Sequence, residues 1–233
     1  MELHLLPLPI SDEDPLFWFG EKHRNALLES SLYFVENVRT ARRFIASLKL
    51  EIPISSLQFE ILDKETSIQS VEGMLTLLRK VGKGVLMSEA GCPGIADPGS
   101  VLIDRVQADG GLIIPYVGPS SIILGLMGSG LNGQHFTFHG YLPQKLDDRI
   151  RVIQKLEKES RQSGATQIFI ETPYRNNALW DSLISTLHPE TRLAFALGLT
   201  SSGELIRQQK VKNWRNQETV LFPKIPTLFL FQV

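Results

Sequence analysis

The sequence predicts an α/β protein of two domains, with a mainly parallel sheet in residues 1–116 and a mixed sheet in residues 117–233. Three observations predict it. Through the first half, short continuous apolar runs alternate with segments of helical period, the pattern of strands covered on both faces of a parallel sheet. At YVGPSS (116–121), Pro, Gly and Ser gather between two apolar segments, a composition that marks a hinge. Beyond it, the last strand-like runs follow one another with little helix between them, which suits antiparallel pairing.

Each element has its own signal. LHLLPL (3–8) and SLYFVE (31–36) read as short strands, and residues 37–49 as a helix. SLQFEI (56–61) reads as another strand, and SIQSVEGMLTLLRK (67–80) has helical period with a basic end. GVLMS (84–88) and GLIIPYV (111–117) are continuous apolar strands, with VLIDRVQ a helix between them. In the second half HFTFHGYL (135–142) alternates, RIRVIQKLEKES (149–160) is an amphipathic helix, TQIFIE (166–171) a strand, and RNNALWDSLISTL (175–187) a helix. RLAFALGL (192–199), ELIRQQKVKNW (204–214) and PTLFLFQV (226–233) read as strands.

Composition narrows the function classes. The chain has 233 residues, 42% hydrophobic and 21% charged, ordinary values for a globular protein. Its apolar runs are interrupted well short of the roughly 20 residues of a membrane span. The start, MELHLLPLPISDED, lacks the basic residues and cleavage site of a secretory signal, so a cytoplasmic protein is expected. The single cysteine, Cys92, excludes an internal disulfide framework, and five scattered histidines show no ligand spacing, so no metal site is expected. A net charge of −1 gives no global attraction to nucleic acid, so any RNA partner needs a local basic patch.

SEAGCPGIADPGS (88–100) concentrates the chemistry. It lies just past an apolar strand, where open α/β sheets bind ligands. Gly91, Gly94 and Gly99 permit close backbone approach, and Pro93 and Pro98 limit the freedom lost on binding. Phosphate-binding glycine patterns are absent, and Glu89 and Asp97 would repel a pyrophosphate while suiting a cation, a ribose hydroxyl or an amino group. A plain strand–helix turn, with Asp97 capping a helix that begins near Pro98, explains the same composition.

GVLMSEAGCPGIADPGS, followed by VGPSS, resembles the S-adenosylmethionine-dependent tetrapyrrole methylase superfamily, and within it the ribosomal RNA small-subunit methyltransferase I group. That group typically reads S-D-A-G-T-P-x-I-S-D-P-G and then P-G-P-S-A. FTFHGYLPQK is similar to its F-x-F-x-G-F-L-P-x-K, and IFIETPYR to its I-F-Y-E-S-P-H-R. The resemblance runs in register over roughly residues 84–200. It implies a two-domain tetrapyrrole-methylase-like fold with S-adenosylmethionine in a cleft between the domains. Cofactor contacts are then expected from Leu8, Pro9, Ser88, Glu89, Ala90, Gly91, Ile95, Ala96, Asp97, Ser120 and Ser121. It also implies methylation of small-subunit ribosomal RNA at a ribose 2′-hydroxyl, and a homodimer.

The chain departs from the group near its start, where P-T-P-I-G-N-L-x-D becomes LPLPISDED, and where A-E-D-T-R-H-T-R-R-L-L becomes VENVRTARRFI. The later A-R-E-L-T-K-x-H-E-E becomes ALGLTSSGEL. Glu36 and Arg39 survive at a strand end and the following helix start and are the catalytic candidates; Arg42 and Arg43 complete an i, i+3, i+4 set able to dock phosphates, and Glu171 is a third substrate candidate. Each has a plainer reading: a solvated basic face, Glu36 capping the helix, Glu171 as a local loop partner, Glu89 capping a turn. His139 and Cys92 read as structural, and Phe17 and Trp18 either stack a base or make a core or dimer contact. A tetrapyrrole or other small-molecule methyltransferase of this fold, or a scaffold that keeps only cofactor binding, are the rival functions.

Overall fold

The computed structural model describes residues 1–217 and 220–233. The chain forms two compact units, Met1–Ser120 and Ser121–Val233. The first unit holds β1 (Glu2–Leu5), α1 (Glu21–Leu28), β2 (Leu32–Val35), α2 (Val38–Ser47), β3 (Gln58–Ile61), α3 (Ile68–Val81), β4 (Lys83–Met87), α4 (Ser100–Ala108) and β5 (Leu112–Pro115). Its five strands run in the order β3-β2-β4-β1-β5, every neighbouring pair parallel.

Alternation along these strands feeds two cores. Tyr33, Val35, Val85 and Met87 point to one face and pack with Leu27 of α1 and Phe44 and Ile45 of α2. Leu32, Phe34 and Leu86 point to the other and pack with Met74 and Leu78 of α3 and Leu102 and Val106 of α4. Both faces are covered, as the continuous apolar runs required. Asn37 starts α2 by accepting the Arg39 and Thr40 N–H groups, and Ser67 starts α3 by accepting that of Ser70. Gly82, at φ +85°, ends α3 and turns the chain into β4.

The second unit holds α5 (Ser121–Ser129), β6 (Phe136–Phe138), α6 (Leu146–Ser163), β7 (Thr166–Glu171), α7 (Asn176–Thr186), β8 (Arg192–Leu197), β9 (Leu205–Lys210), α8 (Val211–Arg215) and β10 (Thr227–Gln232). Its sheet runs β6-β7-β10-β8-β9, with β6 and β7 parallel and the remaining pairs antiparallel. Buried Phe169, Phe195, Phe229 and Phe231 fill its core with Trp180 and Trp214.

Three differences from the sequence-based expectation have local causes. The strand expected over 204–214 stops at Lys210, because Val211 and Trp214 turn inward as one helical face and the Trp214 indole donates to the Leu193 carbonyl. The strand expected over 135–142 shrinks to three residues ahead of Gly140, whose φ is +67°. Helices α1 and α5 carry no usable sequence signal. Gly20 starts α1 without a side-chain cap, and α5 is so apolar that no period stands out. The glycines of α5 are there for contact: a Cβ on Gly125 would sit 2.4 Å from Leu228.

Phe229 is fully buried against Trp180, Phe222 and Phe169. Phe229→Ala is expected to weaken the second unit by about 3–5 kcal/mol, seen in calorimetry as a lowered transition and by reduced hydrogen-exchange protection in β7, β8 and β10.

Candidate functional site

β1, β4 and β2 lie side by side, and the loops leaving their carboxyl ends meet. Leu8, beyond β1, and Gly91, beyond β4, exchange two backbone hydrogen bonds of 2.9 and 3.0 Å, an isolated antiparallel bridge between strands that are themselves parallel. The bridge demands a reversal of the chain after Met87. Gly91 makes it at φ +75°, and the buried Ser88 hydroxyl donates toward the Ala90 and Gly91 carbonyls at 3.3 and 3.1 Å. Cys92 points its thiol to the Pro119 carbonyl, and burial raises the thiol pKa, so it fits a structural role rather than a nucleophilic one.

Asp97 organises the rest of the loop. Its Oδ1 accepts the Gly94 and Gly99 N–H groups at 3.0 and 2.7 Å. It does not cap α4, which starts later, at Ser100 behind an N-cap at Gly99. Asp97 Oδ2 is buried without a hydrogen-bond partner among the described residues. Ala96 is held at φ +58°, a region a side chain resists, and it and Ile95 are exposed on the loop's outer side.

Glu36 follows β2 directly and is half-buried. Asn37, not Glu36, caps α2. The Glu36 carboxylate instead reaches the glycine loop, where Oε2 accepts the Glu89 N–H at 3.0 Å. Burial raises its pKa, the negative charges of Asp97, Glu89 and Asp63 raise it further, and the Glu89 N–H offsets part of this. Thr40 donates to Glu89 Oε1 at 3.2 Å, a second tie between α2 and the loop.

Beside these ties lies a cavity of about 460 Å³. Leu8 and Pro9 line it from the first loop, Glu89 and Ala90 from the glycine loop, and Thr40 and Arg43 from α2. It therefore gathers residues expected at the cofactor and one expected at the substrate. The three arginines do not converge. All are exposed, but a helix turns about 100° per residue, so Arg42 lies over the Phe59 ring at 5.2 Å while Arg43 faces the cavity. Arg39 occupies the first turn of α2. Ser120 ends the first unit and Ser121 opens α5 in the second.

Glu171 lies in the second unit and is a local loop partner there. It is buried, and its Oε1 accepts Arg175 Nε and one Nη at 2.8 and 2.7 Å and the Thr172 N–H at 2.6 Å. His139 is tied to Gln167 at 2.7 Å. Trp18 is anchored by Asp14 and packs on Phe19 and His23, while Phe17 is 93% exposed. Among the described residues no helix is long and apolar enough to cross a membrane, and no cluster of three metal-ligating side chains occurs. Sequence reasoning missed Thr40, Asp14, Phe44 and Ser47 as cavity residues. The i, i+4, i+7 spacing of Thr40, Phe44 and Ser47 was the available signal, hidden behind the more conspicuous arginines.

No family model matches the chain. It is 30% identical over 192 residues to the ribosomal RNA small subunit methyltransferase I of Leptospira borgpetersenii, covering 80% of this chain and 72% of the relative. It is 28% identical over 205 residues to the enzyme of that name from Vibrio cholerae, covering 88% and 67%. Among solved structures, the methyltransferase CobJ matches with a TM-score of 0.62 at 17% identity, over 99% of this chain and 92% of that one. Uroporphyrin-III C-methyltransferase of Thermus thermophilus, solved with S-adenosylhomocysteine, matches with 0.54 at 13% identity, over 100% and 97%. At these identities the structural likeness establishes the fold: the two-domain α/β architecture of tetrapyrrole methylases, with a parallel sheet followed by a mixed one.

The raised pKa of Glu36 fixes the sign of a stability test. A carboxyl that holds its proton more tightly in the folded site than in the unfolded chain adds stability at low pH and loses it as pH rises through the folded value. Glu36→Gln keeps an acceptor for the Glu89 N–H and removes the charge. Its melting temperature is expected to exceed that of the wild type at pH 7 by a small margin, on the order of 1–3 °C. The difference should vanish as pH falls below the ordinary carboxylate range.

Proposed function

The chain belongs to the ribosomal RNA small subunit methyltransferase I family, and from that membership we propose that it transfers a methyl group from S-adenosylmethionine to a ribose 2′-hydroxyl of small-subunit ribosomal RNA. The observation that carries the cofactor half is the glycine loop. Its backbone is held open by Gly91 and Gly94 at positive φ, and it presents a buried carboxylate oxygen, Asp97 Oδ2, that no group among the described residues satisfies. An unmatched anionic acceptor beside exposed backbone fits a ligand with a cationic sulfonium and ammonium. A Cβ on Gly99 would lie 2.7 Å from Asp97 Oδ1, so the carboxylate sits where it does because that position is glycine. Leu8, Pro9 and the loop from Ser88 to Asp97 would hold the cofactor, with Ser120 and Ser121 as further contacts.

Bound there, S-adenosylmethionine supplies an electrophilic methyl group on sulfur. The protein's own contribution is to position an acceptor and take its proton. Glu36 is the base: burial and neighbouring carboxylates raise its pKa, which strengthens its hold on the hydroxyl proton as the ribose oxygen bonds to carbon. The Glu89 N–H fixes the carboxylate through Oε2 alone. Arg43 faces the cavity, and Arg39 and Arg42 extend positive charge along the exposed side of α2, where the phosphates of an RNA strand would lie. The cytoplasm, where such RNA is found, and a homodimer belong to the same proposal; exposed Ile123 and Met127 on α5 support the second copy.

The deciding experiment is transfer of labelled methyl from S-adenosylmethionine to purified small ribosomal subunits, followed by nuclease mapping. Label in a nuclease-resistant 2′-O-methyl dinucleotide is the expected result. Transfer only to tetrapyrroles or other small acceptors overturns the substrate, and binding without transfer to any acceptor overturns the enzyme. Asp97→Ala is expected to lower cofactor affinity at least about tenfold by calorimetry, a loss of about 1.4 kcal/mol; unchanged affinity removes the loop from the site.

Replacing Arg39, Arg42 and Arg43 with Gln should leave cofactor affinity intact. It should raise KM for the subunit and flatten the dependence of log K on log salt by about 0.7 for each phosphate that is no longer neutralised. An unchanged slope would remove phosphate docking from α2.

A further inference from the structure

The second unit contains a built cavity that the methyl-transfer chemistry leaves without a role. β6 and β7 run parallel, joined by Thr166 N–H to the His135 carbonyl, His139 N–H to the Ile168 carbonyl and Ile170 N–H to the Gly140 carbonyl. Each then enters a loop that leads into a helix, α6 or α7. Between these two loops lies a cavity of about 520 Å³, lined by Tyr141, Leu142, Pro143, Gln144, Thr172 and Arg175. That volume lies in the range of small-ligand sites, about 300–1,000 Å³. The position, past the carboxyl ends of adjacent parallel strands, is where α/β sheets bind ligands.

Its chemistry is specific. Tyr141, in the cavity lining, is 59% exposed, and Tyr174, on the second loop between the lining residues Thr172 and Arg175, is 86% exposed, so each loop carries a large aromatic ring facing solvent. Nothing in packing requires that, since a buried ring would contribute more to stability. Buried Glu171 holds Arg175 through Nε and one Nη, leaving the other Nη outside the pair and the guanidinium fixed at the cavity wall. Arg149 is buried at 8% exposure and bonds only neutral groups, Ser182 Oγ and the Gln144 carbonyl, with no carboxylate in ion-pair range among the described residues. A buried cation without a counter-charge makes its surroundings favourable to an anion. Exposed Lys145 adds a further cation on the first loop, while Asp147 and Asp148 of the first turn of α6 lie on that side of the cavity. The first turn of α7 has neither a side-chain cap nor an acidic residue, whereas that of α6 has Asp147 and Asp148, so an anion is favoured on the α7 side.

We propose that this cavity and the two loops that flank it form a docking subsite for single-stranded RNA, in which Tyr141 and Tyr174 stack unpaired bases and Arg175, at the start of α7, receives a backbone phosphate. Aromatic rings beside a fixed guanidinium are the recognition chemistry of unpaired nucleotides, and they read stacking surface more than sequence. The subsite would bind RNA flanking the methylated nucleotide and give the enzyme a contact outside its reacting centre. It rests on the reading of RNA as the substrate.

The test separates the two claims. Wild type, Tyr141→Ala, Tyr174→Ala, the double variant, Tyr174→Phe and Lys145→Gln are compared for methyl transfer to small ribosomal subunits and for binding of a fluorescent single-stranded oligoribonucleotide. Both tyrosines are exposed, so each alanine variant is expected to fold. The expected result is a KM and an oligonucleotide Kd raised at least about fivefold for each alanine, with kcat at saturation and cofactor affinity unchanged and with Tyr174→Phe restoring binding. Lys145→Gln should reduce the salt slope by about 0.7. A double alanine variant whose KM and Kd stay within twofold of an active wild type overturns the subsite and leaves the methyltransferase reading standing. So does a photo-crosslinker at position 174 that reaches ribosomal protein and not RNA. A wild type that neither binds nor methylates RNA overturns both.

Discussion

The pair of hydrogen bonds between Leu8 and Gly91 is the constraint on which the first unit's chemistry depends. β1 and β4 are parallel neighbours, so their carboxyl-end loops emerge together and would otherwise diverge. Tying them by an antiparallel bridge forces the chain after Met87 to reverse within a few residues. Each feature of the reversal follows: a positive φ at Gly91, a hydroxyl from Ser88 behind the turn, and Asp97 to gather the amides of Gly94 and Gly99. Two net hydrogen bonds contribute only about 1–3 kcal/mol, less than the entropy of fixing several loop residues. Pro93 and Pro98 reduce the freedom that ordering removes. The loop's conformation is thus set by the fold itself.

The same reversal explains the electrostatics. Turning at Gly91 brings the Glu89 amide over the end of β2, where Glu36 meets it. Burial there raises the Glu36 pKa, and the negative charges of Asp97, Glu89 and Asp63 add to it. A concentration of negative charge at the carboxyl ends of three strands is unfavourable on its own and becomes favourable next to a cation. The loops after β6 and β7 have the opposite character, with Arg149 buried lacking a carboxylate partner among the described residues. The net charge of −1 for the whole chain conceals both. Only the basic stretch of α2 is conspicuous along the sequence, because its arginines are close neighbours there.

What can be read in advance follows from where the information is local. Strands β2, β4 and β10 announce themselves because a strand buried on both faces needs an unbroken apolar run, as LYFV, GVLM and TLFLF provide. The glycine loop is legible as a tightly turned segment because glycine and proline act on their own backbone. Helix α5 is not, because its glycines answer to Leu228 and Ile206, far along the chain and outside any local window. The cavity beside Arg43 and the pairing of Glu171 with Arg175 also depend on tertiary placement. A helix cap is the role that local pattern assigns to Asp97, whereas in the folded loop it closes the turn on itself ahead of the helix.

The altered motif over residues 35–45 is where sequence alone is most discouraging, and its local geometry is nonetheless well tied. The family pattern has aspartate where this chain has Asn37, yet Asn37 still accepts both the Arg39 and Thr40 amides, so the helix start needs the side-chain oxygen and not its charge. Thr40 stands where the pattern has histidine, and its hydroxyl reaches Glu89, which stands where the pattern has aspartate. Both replacements fall at one contact between α2 and the glycine loop, and the longer glutamate meets a shorter partner there. The two replacements thus meet in a hydrogen bond that joins the two elements. Without these ties Glu36 would be free of its amide and α2 uncapped.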